Sequence, residues 1–454
     1  MKQIDFSSNR TARTVAASAG PMLVAQLLSL LYSIVDRIYI GRIPGEGTLD
    51  LGGIGLCFPI IMIVTAFTNL LGNGGAPLCA MARGQNDHEK AERLMNTSFT
   101  LLTLVSCVLL LLFELFGSPA LRLFGASDQL LPYARSYLGI YLLGTPAAMI
   151  SAGMVPFINA QGYASAGMLS IFVGAALNLL LDPVFIFVLG LNIRGAALAT
   201  ILSQYVSAVL VLIFLHRSGT ELHLRFLTPA RMRISEIQRI LSVGLTGFIM
   251  QFTNSLVSII CNHTLSVWGG DLYISIYTII SSVRSLLDVP VHSICEGASP
   301  VLSYNYGASQ PERMRKIVRL FTSWSVIYTA VVWILILLFP AFFIRIFSND
   351  ADLLAESTRV LKLYYFAFVF QAFQYCGQTV FKSLGRTKKA VFFSLLRKVV
   401  IVVPLTLFLP MMGFGSDGVF MAEPISNVLG GSLCFTVMLA TEYFRWGKTR
   451  KQPF

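Results

Sequence analysis

The chain has 454 residues, of which 55% are hydrophobic and only 12% charged, and its formal net charge is +12. Soluble domains carry roughly 25% charged residues, so this composition excludes a soluble enzyme or binding module and places most of the chain against lipid or inside a buried bundle. In a soluble protein the positive charge would suggest nucleic acid, but here it falls in short loops, where it reads as a topology signal with no nucleic-acid partner.

The apolar stretches run about 20 residues each, the length that crosses a ~30 Å hydrocarbon core as a helix, and none alternates as a barrel strand does. Twelve transmembrane helices are predicted, near 16–40, 53–78, 95–116, 132–155, 166–190, 196–215, 240–263, 272–300, 318–340, 359–381, 390–411 and 418–441. The first follows a charged segment with Lys2, Asp5, Arg10 and Arg13 and no small-residue cleavage site, which predicts a retained helix. The longest polar connection, His216 to about Arg239, places Pro229 ahead of Met232, Ile234, Ile237, Ile240 and Leu241 at helical spacing. It predicts an amphipathic helix on the cytoplasmic face. The expected organisation is an N-terminal six-helix lobe at 1–215, a cytoplasmic linker at 216–239 and a C-terminal six-helix lobe at 240–454.

With the N-terminus in the cytoplasm, basic residues favour the inner loops by about threefold, and an even number of spans returns both termini to that side. The inner count includes the run from Lys382 to Lys398. Anionic lipid contact is a secondary role for these charges. The seven cysteines fall in apolar stretches without CxxC or Cys/His metal spacing and read as small packing residues. No GxxxxGK[ST] loop is present, which argues against direct ATP drive, and no HExxH or GxSxG motif suggests an enzyme.

The two halves keep register. Adding 223 carries Ala76-Pro77 to Ser299-Pro300, Gly84 to Gly307, Phe124 to Phe347, Gly162 to Gly385 and Gly195 to Gly418. Hydrophobicity alone does not hold Gly and Pro in step over such a distance, so the chain is a duplicated membrane unit. Internal repeats of this kind are the signature of secondary transporters and argue against a receptor.

An ionisable side chain at mid-bilayer costs on the order of 2.5–3.5 kcal/mol, so each one that persists there needs a partner, a wet cavity or a function. The first half holds Asp36, with Arg37 beside it, in span 1 and Asp182 in span 5. Asn178 lies four residues before Asp182 on one helix face, and Thr200 of span 6 reaches a comparable depth. These groups make either a hard oxygen site suited to Na⁺ or a carboxylate pair that shares a proton. Pro183 interrupts the helix and frees the Leu179 carbonyl as a further ligand, or else marks a kink that Asp182 caps. The second half holds Arg284, Asp288 and Glu296 in span 8, Arg397 and Lys398 in span 11, and Glu423 in span 12. Arg284 and Asp288 stand at i,i+4 and neutralise each other on this reading. Glu296, beside Gly297 and Pro300, guards an inner gate or caps a helix end. Glu423 is the repeat mate of Thr200 and a candidate for substrate contact.

Five motifs now stand in order: Leu31-Tyr32-Ser33-Ile34-Val35-Asp36 with Ile40-Gly41, Asn159-Ala160-Gln161-Gly162, Asn178-x-x-x-Asp182-Pro183, Gly195-Ala196-Ala197-Leu198-Ala199-Thr200, and Pro300-x-x-Ser303-Tyr304-Asn305-Tyr306-Gly307. Together they resemble the multidrug and toxic compound extrusion (MATE) family over nearly the whole chain, the last motif most like its MepA-like bacterial branch. The resemblance implies two six-helix lobes forming a V, in the bacterial cytoplasmic membrane, that export cationic or amphipathic organic compounds in exchange for Na⁺ or H⁺. It carries the cation-coupling roles onto Asp36, Asn178, Asp182 and Thr200, and onto Asn159 near the end of span 4. Arg37 departs from the family, where a smaller or neutral residue follows the span 1 aspartate. No cofactor beyond the coupling ion is implied; the expected partners are a small organic molecule and the bilayer, and the expected state is a monomer. The alternative is a flippase for a lipid-linked or amphipathic metabolite. Such relatives carry about fourteen spans and a strongly cationic cavity, whereas the charged candidates here read as mainly acidic.

Overall fold

The computed structural model describes residues 3–41, 43, 47–124, 127–216, 221–227, 232–346 and 351–446, without the side chains of helical residues 33, 34, 37, 38, 41, 47–52, 271 and 351–353. Readings that fall on Pro229, Phe347 and the side chain of Arg37 therefore lie outside the described residues.

The helices are α1 (Thr11–Gly41), α2 (Gly47–Gly84), α3 (His88–Leu123), α4 (Leu131–Leu143), α5 (Thr145–Ala160), α6 (Ala164–Pro183), α7 (Asn192–His216), α8 (Ile234–Trp268), α9 (Gly270–Gly307), α10 (Pro311–Leu338), α11 (Pro340–Arg345), α12 (Ala351–Tyr365), α13 (Phe368–Ser383), α14 (Thr387–Leu395), α15 (Val403–Leu409), α16 (Gly415–Ser426) and α17 (Ser432–Met438). Among the described residues, nine helical runs are long and apolar enough to cross a bilayer, and α4 with α5, bent by 56° at their junction, makes a tenth. One of the nine, Thr387–Tyr443, has 57 residues. It is not one straight helix, because Gly413 (φ 98°) and Gly415 (φ 53°) leave the helical region, and the run supplies two crossings of a ~30 Å core. With α12 and α13, interrupted at residues 366–367, the protein has the twelve spans of an all-α membrane protein.

The duplication is written in the backbone. Left-handed φ angles occur at Asn86 (58°) and Ser309 (54°), at Gly162 (88°) and Gly385 (68°), at Gly190 (65°) and Gly413 (98°), and at Asn192 (50°) and Gly415 (53°). Each pair is 223 residues apart, so the same turns end and start the same helices in both halves. Gly195 and Gly418 show why small residues are kept in register. A Cβ on Gly195 would lie 2.6 Å from the Phe185 carbonyl oxygen, and one on Gly418 would lie 2.7 Å from the Pro410 nitrogen. In both halves a helix start packs backbone-to-backbone on the end of the preceding span, a closeness that membrane helices use in place of hydrophobic drive.

Contacts divide the chain into two compact units: Met1–Asp5 with Pro21–Gly244, and Phe6–Gly20 with Leu245–Phe454. The first unit is built on a core that includes Met95, Leu102 and Phe157; the second on one that includes Val360, Tyr365 and Phe420. The linker departs from the sequence expectation. Residues 221–227 are not helical and lie along α3: Arg225 N–H donates to Asn96 Oδ1 (2.8 Å) and Leu227 N–H to Thr100 Oγ1 (3.1 Å). Ile234, Ile237, Ile240 and Leu241 form the first turns of α8, continuous with its span, and Ile240 is fully buried. The helical period was real, but it belonged to the membrane helix. Arg83 clamps the linker, bonding Glu221 through Nε (3.0 Å) and Nη2 (2.5 Å) and the Ala160 carbonyl through Nη1 (2.5 Å). Six of the seven cysteines are buried, and Cys107 is exposed on α3.

Candidate functional site

In the first unit, α6 carries Asn178 and Asp182 on one face and packs along α7, which carries Thr200. Pro183 lacks the N–H that would continue the ladder, and the chain passes into a π-helical turn, Val184–Val188, directly after it. Asn178 Nδ2 donates to Asp182 Oδ1 (3.3 Å) and to Thr200 Oγ1 (3.4 Å), while Thr200 spends its own hydrogen on the Ala196 carbonyl (2.9 Å). Asp36, from α1, comes close enough to Asp182 for the two carboxyl groups to share a hydrogen bond. Asp182 is fully buried and Asn178 nearly so. Asn178 Oδ1 and Asp182 Oδ2 are buried without a hydrogen-bond donor among the described residues. Tyr137 and Tyr141, stacked at 5.7 Å, stand beside this cluster, with Tyr137 near Asp36.

Four of the five sequence-derived cation candidates therefore meet. The fifth, Asn159, does not: it ends α5 beside Gly167, whose Cβ would sit 2.8 Å from Asn159 Oδ1. Gly167 lies fifteen residues before Asp182 on α6, about 22 Å along the helix.

The second unit holds a different arrangement around a cavity of about 270 Å³. Glu423 of α16 is its centre. Glu423 Oε1 accepts from Arg284 Nη2 of α9 (2.7 Å), from Arg397 Nη2 (2.8 Å) and from Lys398 Nζ (3.1 Å). Arg397 and Lys398 lie on the π-helical turn Leu396–Val402, which lets two consecutive residues face one side of the span. Arg397 also donates to Asn427 Oδ1 (2.9 Å), and a Cβ on Gly430 would lie 2.9 Å from its Cγ. Asp288 accepts from Gln371 Nε2 at 2.9 and 3.0 Å, from Tyr375 OH (3.2 Å) and from Arg284 Nε (3.3 Å).

Two expectations need correction. Arg284 and Asp288 do form the expected i,i+4 pair (3.3 Å), but the pair is not closed on itself, because the shorter bond of Arg284 (2.7 Å) goes to Glu423. Nor are the charged candidates mainly acidic: Arg284, Arg397 and Lys398 face Asp288 and Glu423, one positive charge in excess. Glu296 stands apart from the cavity and pairs with Lys382 Nζ of α13 (2.8 Å). Sequence reasoning placed Arg397 and Lys398 in span 11 but also counted them among the inner-side basic residues, and gave them no role at a site. Their place within span 11 was the signal, since two buried cations require a carboxylate from another helix.

A sequence profile of the MatE family matches residues 21–184 and 247–408. The multidrug export protein MepA of Staphylococcus saprophyticus is 26% identical, over 90% of this chain and 89% of its own length. Its namesake from Staphylococcus aureus is 24% identical over 93% and 91%. Among solved structures, an outward-facing conformation of a multidrug resistance MATE family transporter of the MOP superfamily shares the fold with a TM-score of 0.90 at 22% identity, covering 99% of both chains.

Proposed function

The chain belongs to the MatE family of membrane transporters, and from that premise we propose that it is a secondary active exporter of cationic or amphipathic organic compounds, driven by entry of Na⁺ or H⁺. The observation that carries this reading is the meeting of Asp36, Asn178, Asp182 and Thr200 inside the first unit. Two carboxylates in contact hold a shared proton or a cation between them, because like charges at that range do not both stay ionised unaided. The donor set suits either ion. Carboxylate, amide and hydroxyl oxygens are hard ligands for Na⁺, and Asp182 Oδ2 and Asn178 Oδ1 are buried acceptors that a cation would satisfy.

Coupling requires that cation and substrate favour different states of the protein, since a ligand with equal affinity for both shifts nothing. On this reading, a cation entering at Asp36 and Asp182 stabilises the state from which substrate leaves. We place the protein in the bacterial cytoplasmic membrane as a monomer with both termini in the cytoplasm. We take the lobes as 1–215 and 240–454 and the linker as 216–239, its last residues, from Ile234, being helical and continuous with α8. Efflux of ethidium from cells expressing the protein tests the reading: Asp182→Asn should abolish export at normal membrane abundance, and unchanged export would overturn the proposed site.

A further inference from the structure

We propose that the cavity of the second unit binds the anionic group, a carboxylate or phosphate, of an amphipathic organic molecule. Charge is the first ground. Three cations face two carboxylates, and Asp288 is already taken up by Gln371, Tyr375 and Arg284. The second is hydrogen bonding. One oxygen, Glu423 Oε1, receives all three cations, more donors than its two lone pairs accommodate well. Lys398 has three N–H groups, and among the described residues its hydrogen bonds run only to the two oxygens of Glu423. A second anion in the cavity would take over part of that load. Tyr277 and Tyr364 line the same space and offer aromatic faces to the rest of the ligand.

The repeat supplies the third ground. Subtracting 223 from Arg284, Arg397 and Lys398 gives Ile61, Gly174 and Ala175, so the same fold closes in the first unit with no charge at these positions. The cations are a property of the second unit and not a requirement of the architecture. The inference extends the export reading by adding zwitterions and anions with an apolar body to the cationic compounds already proposed, and it rests on that reading only for the fate of the bound molecule.

The test is fluorescence titration of the purified full-length protein, in detergent free of anionic lipid, with dansylglycine and with its uncharged methyl ester. The acid should bind at least about tenfold more tightly than the ester, and Lys398→Gln should weaken the acid by about tenfold. Glu423→Gln should strengthen it, because the excess positive charge grows; loss of fold cannot mimic tighter binding. Should Glu423→Gln fail to fold, Asp288→Asn carries the same test of sign. Equal affinity for acid and ester, or weaker acid binding by a folded Glu423→Gln protein, would overturn the proposal. Displacement of the dye by short-chain phosphatidylglycerol supports a lipid source for the anion, and displacement by benzoate alone supports a soluble one. Because the titration needs no transport, its outcome stands whether or not export is observed.

Discussion

Replacing Glu423 by Gln removes the one carboxylate that three buried cations share. The side chain keeps its shape and an acceptor oxygen, so packing changes little and the perturbation is electrostatic. The bonds at stake run to Arg284 (2.7 Å), Arg397 (2.8 Å) and Lys398 (3.1 Å), and the side chains of Glu423 and Arg397 are 6% and 7% exposed. Taking one partner from a buried ion pair costs about 3–5 kcal/mol, and the retained amide oxygen argues for the lower end. At about 2–4 °C per kcal/mol for a body of some 200 residues, the melting temperature of the purified protein should fall by roughly 6–12 °C. Lys398→Gln should cost less, since Glu423 keeps two cations and the cluster becomes neutral. A thermal-shift assay in detergent reads both. A Glu423→Gln protein melting within about 2 °C of the parent would refute the view that this carboxylate holds the second unit's helices together.

Gly195→Ala should lower the melting temperature by an amount equivalent to about 1–3 kcal/mol, because its methyl would meet the Phe185 carbonyl at 2.6 Å, and a melt indistinguishable from the parent would contradict the close approach. Lys382→Met should lower the melting temperature more than Lys382→Arg does, since the former leaves Glu296 without its counter-charge; equal effects would show that the pair is only packing. Burial pushes the linker carboxyl of Glu221 up, but hydrogen bonds from Gln3 and Arg83 and the Arg83 charge outweigh it and leave it below the ordinary value. A depressed carboxyl stabilises above its unfolded value of about 4.3 and loses that contribution as pH falls through the folded value. The melting difference between the parent and Glu221→Gln, worth at most about 1 kcal/mol because the Glu221 side chain is 37% exposed, should hold steady above about pH 5 and shrink below it. Growth of the difference in acid would reverse the sign argument.

Much of this architecture is legible in local sequence because it repeats. Residues that need left-handed backbone recur 223 positions apart, from Asn86 and Ser309 to Gly190 and Gly413, and the structure uses each pair for the same turn. The first unit's cluster is equally readable, since Asn178 and Asp182 are one helical turn apart and Thr200 opens the next span. The second unit's cluster is not local. Arg284, Arg397 and Glu423 come from three spans, and only a π-helical turn aims Arg397 and Lys398 together, a backbone feature without a side-chain period. Span 10, expected at 359–381, is broken between Tyr365 and Phe368 and its first helix begins at Ala351, a break that the apolar pattern does not mark. The linker misled in the opposite direction, because the helical period from Ile234 is the start of the membrane helix itself, which begins before the span expected at 240.

The central claim, that export is driven by a cation bound between Asp36 and Asp182, is tested most directly in proteoliposomes with Na⁺ and pH gradients imposed one at a time. The account predicts that one of these gradients alone drives ethidium against its concentration in the parent protein, and that neither does so in Asp182→Asn or Asp36→Asn. Gradient-driven accumulation that survives both substitutions would contradict it.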